Sequence, residues 1–203
     1  MRFICGPIPP SRVLNPHEEG WTPLPAWGAG RLAVVAVLLG LPFLVAALCL
    51  LGNMKQEVRE LFKAQPLVAG AYLLALLVMV PVHELIHALA YCQDVRSRHL
   101  IVGFWPSRGL CYAIYDSPMP RRRVLGMVVA PFLALSILPL LCLPWLQGAA
   151  GVLVLTFSLL HAGMCGGDLI VFLRLVSRVP RKALVHNNGW QTYWSAQVGG
   201  GPA

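Results

Sequence analysis

Long runs of apolar residues dominate this chain, and only short polar stretches separate them. A helix that faces lipid needs roughly 20 consecutive apolar residues, whereas a half-buried strand alternates apolar with polar residues. The pattern therefore predicts four transmembrane helices, at about residues 31–52, 66–92, 124–146 and 149–176.

The loop between the second and third helices has a different pattern. Two short β-prone runs lie within residues 99–116, and a turn from Pro106 to Gly109 separates them. This arrangement is typical of a β-hairpin. The predicted fold is thus an all-α integral membrane protein with about four transmembrane helices and a short cytoplasmic β-hairpin.

These elements predict one membrane-embedded domain over residues 31–180. A Pro-rich segment of residues 1–30 precedes this domain, and a tail of residues 181–203 follows it. The Gly-rich last residues of the tail are expected to be disordered.

Composition supports a membrane protein and argues against two other kinds of protein. Of the 203 residues, 57% are hydrophobic and 12% are charged, whereas roughly 25% are charged in an ordinary soluble domain. The formal net charge of +8 comes from basic residues beside the apolar runs, which indicates contacts with membrane lipids and not with nucleic acid. The six cysteines show no paired spacing, so we expect neither a disulfide framework nor a CxxC metal site.

The basic residues also predict the orientation in the membrane. Thirteen Lys and Arg residues lie at the termini and in the loop between the second and third helices, and three lie on the opposite side. Because Lys and Arg favour the cytoplasmic side, both termini are predicted to be cytoplasmic.

The second predicted helix carries the sequence HELIH at residues 83–87, which is an HExxH motif. His83 and His87 share a helix face and can bind one zinc ion, while Glu84 can act on a water molecule as a general base. Polar groups buried at this depth need compensation and indicate a function. The alternatives are a chance match and a structural hydrogen-bonded cluster.

A catalytic zinc site normally has three protein ligands and one open position. No glutamate follows Glu84, and the third histidine of the extended HExxHxxGxxH motif is absent. The third ligand must then come from another downstream side chain. The candidates are Asp94, His99, Asp116, His161, Asp168 and His186.

Asp168 is the predicted third ligand, because at ~1.5 Å per residue it reaches a depth similar to that of the two histidines. Gly166 and Gly167 would let the backbone approach a neighbouring helix closely. An ion pair with Arg174 is the alternative for Asp168. His161 would lie roughly 10 Å from Asp168 along a continuous helix. We expect it to orient a ligand or to stabilise an oxyanion, with a structural core histidine as the alternative.

Two sequences, HELIH at residues 83–87 and HAGMCGGD at residues 161–168, resemble the uncharacterised bacterial membrane family described as "putative zincin peptidases". More distantly they resemble the site-2 proteases, and the similarity covers about Pro66 to Trp190. The site-2 resemblance implies an aspartate from a later helix as third ligand, here Asp168, and an edge strand that pairs with the substrate. The chain departs from the site-2 signature, since His161 and Cys165 stand where Asn and a small polar residue are expected.

The predicted function is a membrane-embedded zinc metallopeptidase that hydrolyses peptide bonds in or near the membrane. Its substrate would be a membrane-associated peptide or protein, and the resemblance implies the bacterial cytoplasmic membrane. The rival is a non-catalytic zinc-binding membrane protein, either a transporter or sensor or an inactive scaffold. The polar residues cluster at one depth, which favours a fixed site over a conduit. No oligomeric state is predicted.

Overall fold

A computed structural model describes residues 1–16, 19–91 and 97–196. The protein is mostly helical, at 63%, with small sheets. Asp94, Cys92 at the end of the second predicted span, and the Gly-rich end of the tail lie outside the described residues.

The helices follow the apolar runs, and one short polar helix lies between the first two runs. Their bounds are α1 Ala29–Asn53, α2 Lys55–Ala64, α3 Pro66–Tyr91, α4 Arg121–Pro131, α5 Gly148–Met164 and α6 Gly166–Arg178. A π-helical segment, Phe132–Ile137, and a 3-10 segment, Leu138–Trp145, continue the chain after α4.

Within the described residues, three helical segments are long and apolar enough to cross a membrane, namely Gly30–Asn53, Pro66–Tyr91 and Arg121–Trp145. Helices α5 and α6 meet the same test together, but they are bent by 53° at the break between them. Large apolar side chains such as Leu67 and Leu77 are 88% and 76% exposed. All of this is compatible with localisation in a membrane.

Seven strands are present in the described residues, in two small sheets. Their bounds are β1 Arg2–Cys5, β2 Thr22–Pro23, β3 Leu100–Trp105, β4 Leu110–Tyr115, β5 Met119–Pro120, β6 Leu184–Asn188 and β7 Gln191–Ser195. The first sheet has the order β1-β3-β4, and the second has the order β2-β7-β6-β5.

The two predicted β runs do pair antiparallel as β3 and β4, with Leu100 opposite Tyr115. Their turn ends at Gly109, whose φ of 57° is left-handed and favours glycine. The prediction of a simple hairpin is nevertheless wrong, because β1 adds to β3 in parallel and a second sheet is present. Strands from both ends of the chain complete the two sheets, so the hairpin is one part of a larger β structure.

Contacts divide the chain into two compact units. The helical unit consists of Ala29–His83 and Pro131–Ile170, and the mixed unit consists of Met1–Gly28, Glu84–Ala130 and Val171–Ala203. Within the helical unit, α1 and α5 approach closely where a Cβ on Gly163 would lie 3.2 Å from the Gly40 carbonyl oxygen. Small residues at such a crossing are typical of packed membrane helices.

The core of the mixed unit joins its helices to its strands. The buried residues that form it include Ala88 of α3, Leu100 of β3, Met127 of α4, Leu175 of α6 and Val185 of β6. The last turns of α3, which follow the HExxH motif, are therefore packed into this core.

A buried polar cluster fastens the N-terminal segment within the mixed unit. The Ser11 hydroxyl donates to Asp116 Oδ1 over 2.6 Å and accepts a hydrogen bond from His186 Nε2 over 2.9 Å. Burial lowers the pKa of His186, while a backbone hydrogen bond with Ser117 and the charges of Asp116 and Glu19 oppose that shift. The net shift is downward, so the folded state favours the neutral ring.

We expect the mixed unit to lose stability on acidification because of His186. The pKa of His186 in the folded protein lies below its unfolded value of about 6.5. The stability that neutral His186 contributes is therefore complete above about pH 6.5 and is lost as the pH falls below it. His186→Gln can still donate to Ser11 but does not titrate. The thermal unfolding midpoint of this variant should fall less than that of the wild type between about pH 7.5 and about pH 5.5.

His99→Gln is the matched control, since His99 is an exposed histidine in the same unit. It should keep the wild-type pH dependence. Equal pH slopes for the wild type and His186→Gln would contradict the assignment to His186.

Candidate metal site

Helix α3 carries both histidines of the HExxH motif. His83 and His87 are four residues apart, so their side chains lie one above the other on the same helix face. Each is 8% exposed, and Glu84 between them is partly buried. Buried imidazoles in an apolar helix require polar partners, and these partners define the site.

In the mixed unit, His87 is held by the backbone of α4. Its Nδ1 lies 2.9 Å from the Met127 carbonyl oxygen. Because a carbonyl oxygen only accepts, Nδ1 carries the proton and donates it, and Nε2 of the neutral ring keeps its lone pair. A metal-binding histidine typically shows this arrangement, in which one nitrogen is fixed by a hydrogen bond and the other is the ligand.

In the helical unit, His83 has a partner at each ring nitrogen. Nε2 lies 3.1 Å from Asp168 Oδ2, and Nδ1 lies 3.0 Å from His161 Nε2. Two ligand atoms at ~2.1 Å from one tetrahedral zinc ion lie roughly 3.4 Å apart. The separation between His83 Nε2 and Asp168 Oδ2 therefore fits two ligands of the same ion with little movement.

His161, which is also in the helical unit, contacts further polar side chains. It is fully buried, and its Nδ1 lies 2.7 Å from Ser136 Oγ and 3.7 Å from Cys165 Sγ. His83, His161 and Cys165 also offer ligand atoms that lie within 4.8 Å of one another. The helical unit thus contains His, Cys and Asp side chains that are possible metal-binding groups.

The break between α5 and α6 explains how His161 and Asp168 both reach His83. Helix α5 ends at Met164, Cys165 leaves the helical conformation with ψ 7°, and α6 begins at Gly166. The fourth predicted span, residues 149–176, is therefore not one continuous helix but a pair of helices whose axes are bent by 53°. The bend lets residues from successive helices contact opposite nitrogens of one ring.

The remaining candidate ligands lie elsewhere in the mixed unit. Asp116 and His186 belong to the Ser11 cluster, and His99 Nδ1 lies 2.9 Å from the Asp116 carbonyl oxygen. Arg174, which the sequence offered as a partner for Asp168, donates to the Pro25 carbonyl oxygen and lies over the Trp27 ring. Asp94 is outside the described residues.

Strand β4 lies within electrostatic reach of the motif's glutamate. Burial raises the pKa of the Cys111 thiol, and the negative charge of Glu84 raises it further. Cys111 is on β4, which pairs only with β3 among the described strands. Cys111, on the outer strand of the first sheet, is therefore close enough to Glu84 for the carboxylate charge to affect its thiol.

Residues 76–184 match the family described as "Putative zincin peptidase". The match covers more than half of the chain and includes both sequences, HELIH and HAGMCGGD. No curated protein and no solved structure matches the chain. The chain therefore belongs to the family described as "Putative zincin peptidase", and this membership indicates a zinc metallopeptidase.

Proposed function

We propose that this protein is a membrane-embedded zinc metallopeptidase that hydrolyses peptide bonds in or near the membrane. Its zinc ion would be held by His83, His87 and Asp168. The observation that carries the proposal is the 3.1 Å contact between His83 Nε2 and Asp168 Oδ2. Two imidazoles and one carboxylate are one of the ligand sets found in zinc sites that keep one open position.

A zinc ion held by these residues would lower the pKa of a water molecule and polarise the scissile carbonyl group. Glu84 moves the proton: its carboxylate takes a proton from the attacking water and later delivers it to the leaving amine. Met127 fixes the tautomer of His87 through its carbonyl oxygen. His161 would then either orient His83 or stabilise the oxyanion, and its contact with His83 Nδ1 supports the first role.

The substrate would be a membrane-associated peptide or protein in an extended conformation. We assign its docking to the outer edge of β4, where backbone groups can pair with an added strand. Two facts support docking at this edge. Strand β4 is the last strand in the order β1-β3-β4, and, besides burial, the charge of Glu84 raises the pKa of Cys111 on β4. A strand added there would bring its peptide bonds close to the proposed general base.

Gly166 supports the position of Asp168. A Cβ on Gly166 would overlap the Ala36 carbonyl oxygen of α1, and a backbone atom cannot move aside cheaply. A Cβ on Gly167 would meet nothing within 4 Å. The start of α6, and with it Asp168, is thus held against α1 by a contact that only glycine allows at residue 166.

Replacing Glu84 by Gln should stop hydrolysis and leave zinc binding intact, because the amide cannot accept the proton. The loss of rate should be at least about a hundredfold. Substrates would be found by comparing protein termini in membrane fractions of cells that express the wild type or the variant. Cleavage of a substrate found in this way would then be measured with purified protein, together with its zinc content.

Two further variants serve as the active and inactive controls for this test. Glu57→Gln changes an exposed glutamate of α2 and should be fully active. His83→Ala should lose both zinc and activity. If Glu84→Gln cleaves at the wild-type rate, the mechanism is wrong; if the wild type binds zinc and cleaves nothing, the protein is a non-catalytic zinc binder.

Gly166→Ala should weaken zinc binding, whereas Gly167→Ala should not, because only the first variant pushes α6 away from α1. Zinc affinity would be measured by competition with a chromophoric chelator, and folding would be checked by thermal unfolding of the metal-free variants. Equal affinities for the two variants would show that the close approach at Gly166 does not position Asp168.

A further inference from the structure

A continuous chain of polar contacts runs through the apolar interior of the helical unit. It leads from Asp168 to His83 over 3.1 Å, from His83 to His161 over 3.0 Å and from His161 to Ser136 over 2.7 Å. His161 and Ser136 are 0% and 2% exposed. Two buried polar side chains beyond the proposed ligands need an explanation, because burial of such groups costs free energy.

We infer that His161 and Ser136 are positioning residues that hold His83 in the tautomer that binds metal. This inference rests on the proposed function, since it concerns the zinc site proposed there. It assigns a role to Ser136, for which the sequence offers no motif, and it selects orientation of His83 as the role of His161.

The direction of the hydrogen bonds follows from the chemistry of the two rings. If His83 binds metal through Nε2, its proton is on Nδ1 and is donated to His161 Nε2. The proton of neutral His161 is then on Nδ1, and Ser136 Oγ accepts it. In this arrangement each ring nitrogen of His83 and His161 has a partner.

Ser136 matters because His161 can also adopt the opposite tautomer. In that tautomer His161 would donate from Nε2, and His83 would carry its proton on Nε2, where the metal must bind. The productive tautomer needs an acceptor for the Nδ1 proton of His161. The Ser136 hydroxyl, which can donate or accept, can accept this hydrogen bond over 2.7 Å, whereas Cys165 Sγ at 3.7 Å is a weak acceptor.

The π-helical segment Phe132–Ile137 explains how a serine reaches this position. Its hydrogen bonds span five residues, and the Leu138 N–H accordingly donates to the Leu133 carbonyl oxygen. The wider turn rotates the residues that follow it relative to a regular α-helix, and such segments are frequent at functional sites. In this protein the π-helical segment, which is otherwise apolar, places the Ser136 hydroxyl next to His161.

The chain offers a matched pair of serines for the test. Ser136 and Ser158 are both 2% exposed and lie in the helical unit, but Ser158 Oγ has no hydrogen-bond partner among the described residues. Purified full-length Ser136→Ala, Ser158→Ala, His161→Leu and His161→Gln would be compared with the wild type. Zinc affinity would be measured by chelator competition, and thermal unfolding of the metal-free proteins would check folding.

His161→Leu should weaken zinc binding about 10- to 100-fold, the usual effect of losing the partner of a ligand histidine. Ser136→Ala should weaken it by a smaller factor, and Ser158→Ala should leave it unchanged. Gln has both an acceptor and a donor, so His161→Gln should restore part of the affinity that His161→Leu loses. Since Ser136→Ala and His161→Gln are mild changes, they test the inference even if His161→Leu does not fold.

Three results would overturn the inference while leaving the proposed function in place. The first is wild-type zinc affinity in all folded His161 and Ser136 variants. The second is equal weakening of zinc binding by Ser136→Ala and Ser158→Ala. The third is a thiolate-to-cobalt charge-transfer band in the cobalt-loaded protein that Cys165→Ser removes. The last would make Cys165 a ligand of the metal. If the wild type itself binds no zinc, the proposed function fails and this inference fails with it.

Discussion

The structure of the site depends on the cost of burying imidazole rings among apolar side chains. A buried ring nitrogen without a hydrogen bond is expensive, so each nitrogen must be matched by another group. His83 meets Asp168 at one nitrogen and His161 at the other, and His87 meets the Met127 carbonyl oxygen. Each of these partners requires a local departure from regular helix geometry or a close packing contact, and the fold supplies both.

The departures concentrate in the helices that contact His83. The break at Cys165 turns one apolar run into two helices, so that a histidine before the break and an aspartate after it reach the same ring. The π-helical segment brings Ser136 to His161. Gly166 allows α6 to begin directly against α1. Irregular helix geometry therefore occurs where the polar contacts to His83 and His161 are.

Local patterns predicted part of this structure. Apolar length predicted the helices that are long enough to cross a membrane. The spacing of HELIH put His83 and His87 on one helix face, because helix periodicity is a property of the local sequence. The helix break and the role of Ser136 depend on contacts between helices, which no local pattern reports. The β6-β7 pair is different, because a local signal for it is present in the predicted tail. Asn188 pairs with Gln191, so the turn consists of Gly189 and Trp190, and Gly189 with a φ of 59° occupies the first turn position, where glycine is favoured.

The two histidines of the motif are held by different kinds of partner. A backbone carbonyl oxygen faces His87, and no side-chain substitution can remove it or reverse its role as acceptor. His161, which faces His83, can either donate or accept, so its role depends on a further group. The tautomer of His87 is therefore imposed by main-chain geometry, whereas that of His83 depends on the series of side chains that follows it. Substitutions at His161 or Ser136 would therefore change the surroundings of His83 without altering a proposed ligand or the proposed general base.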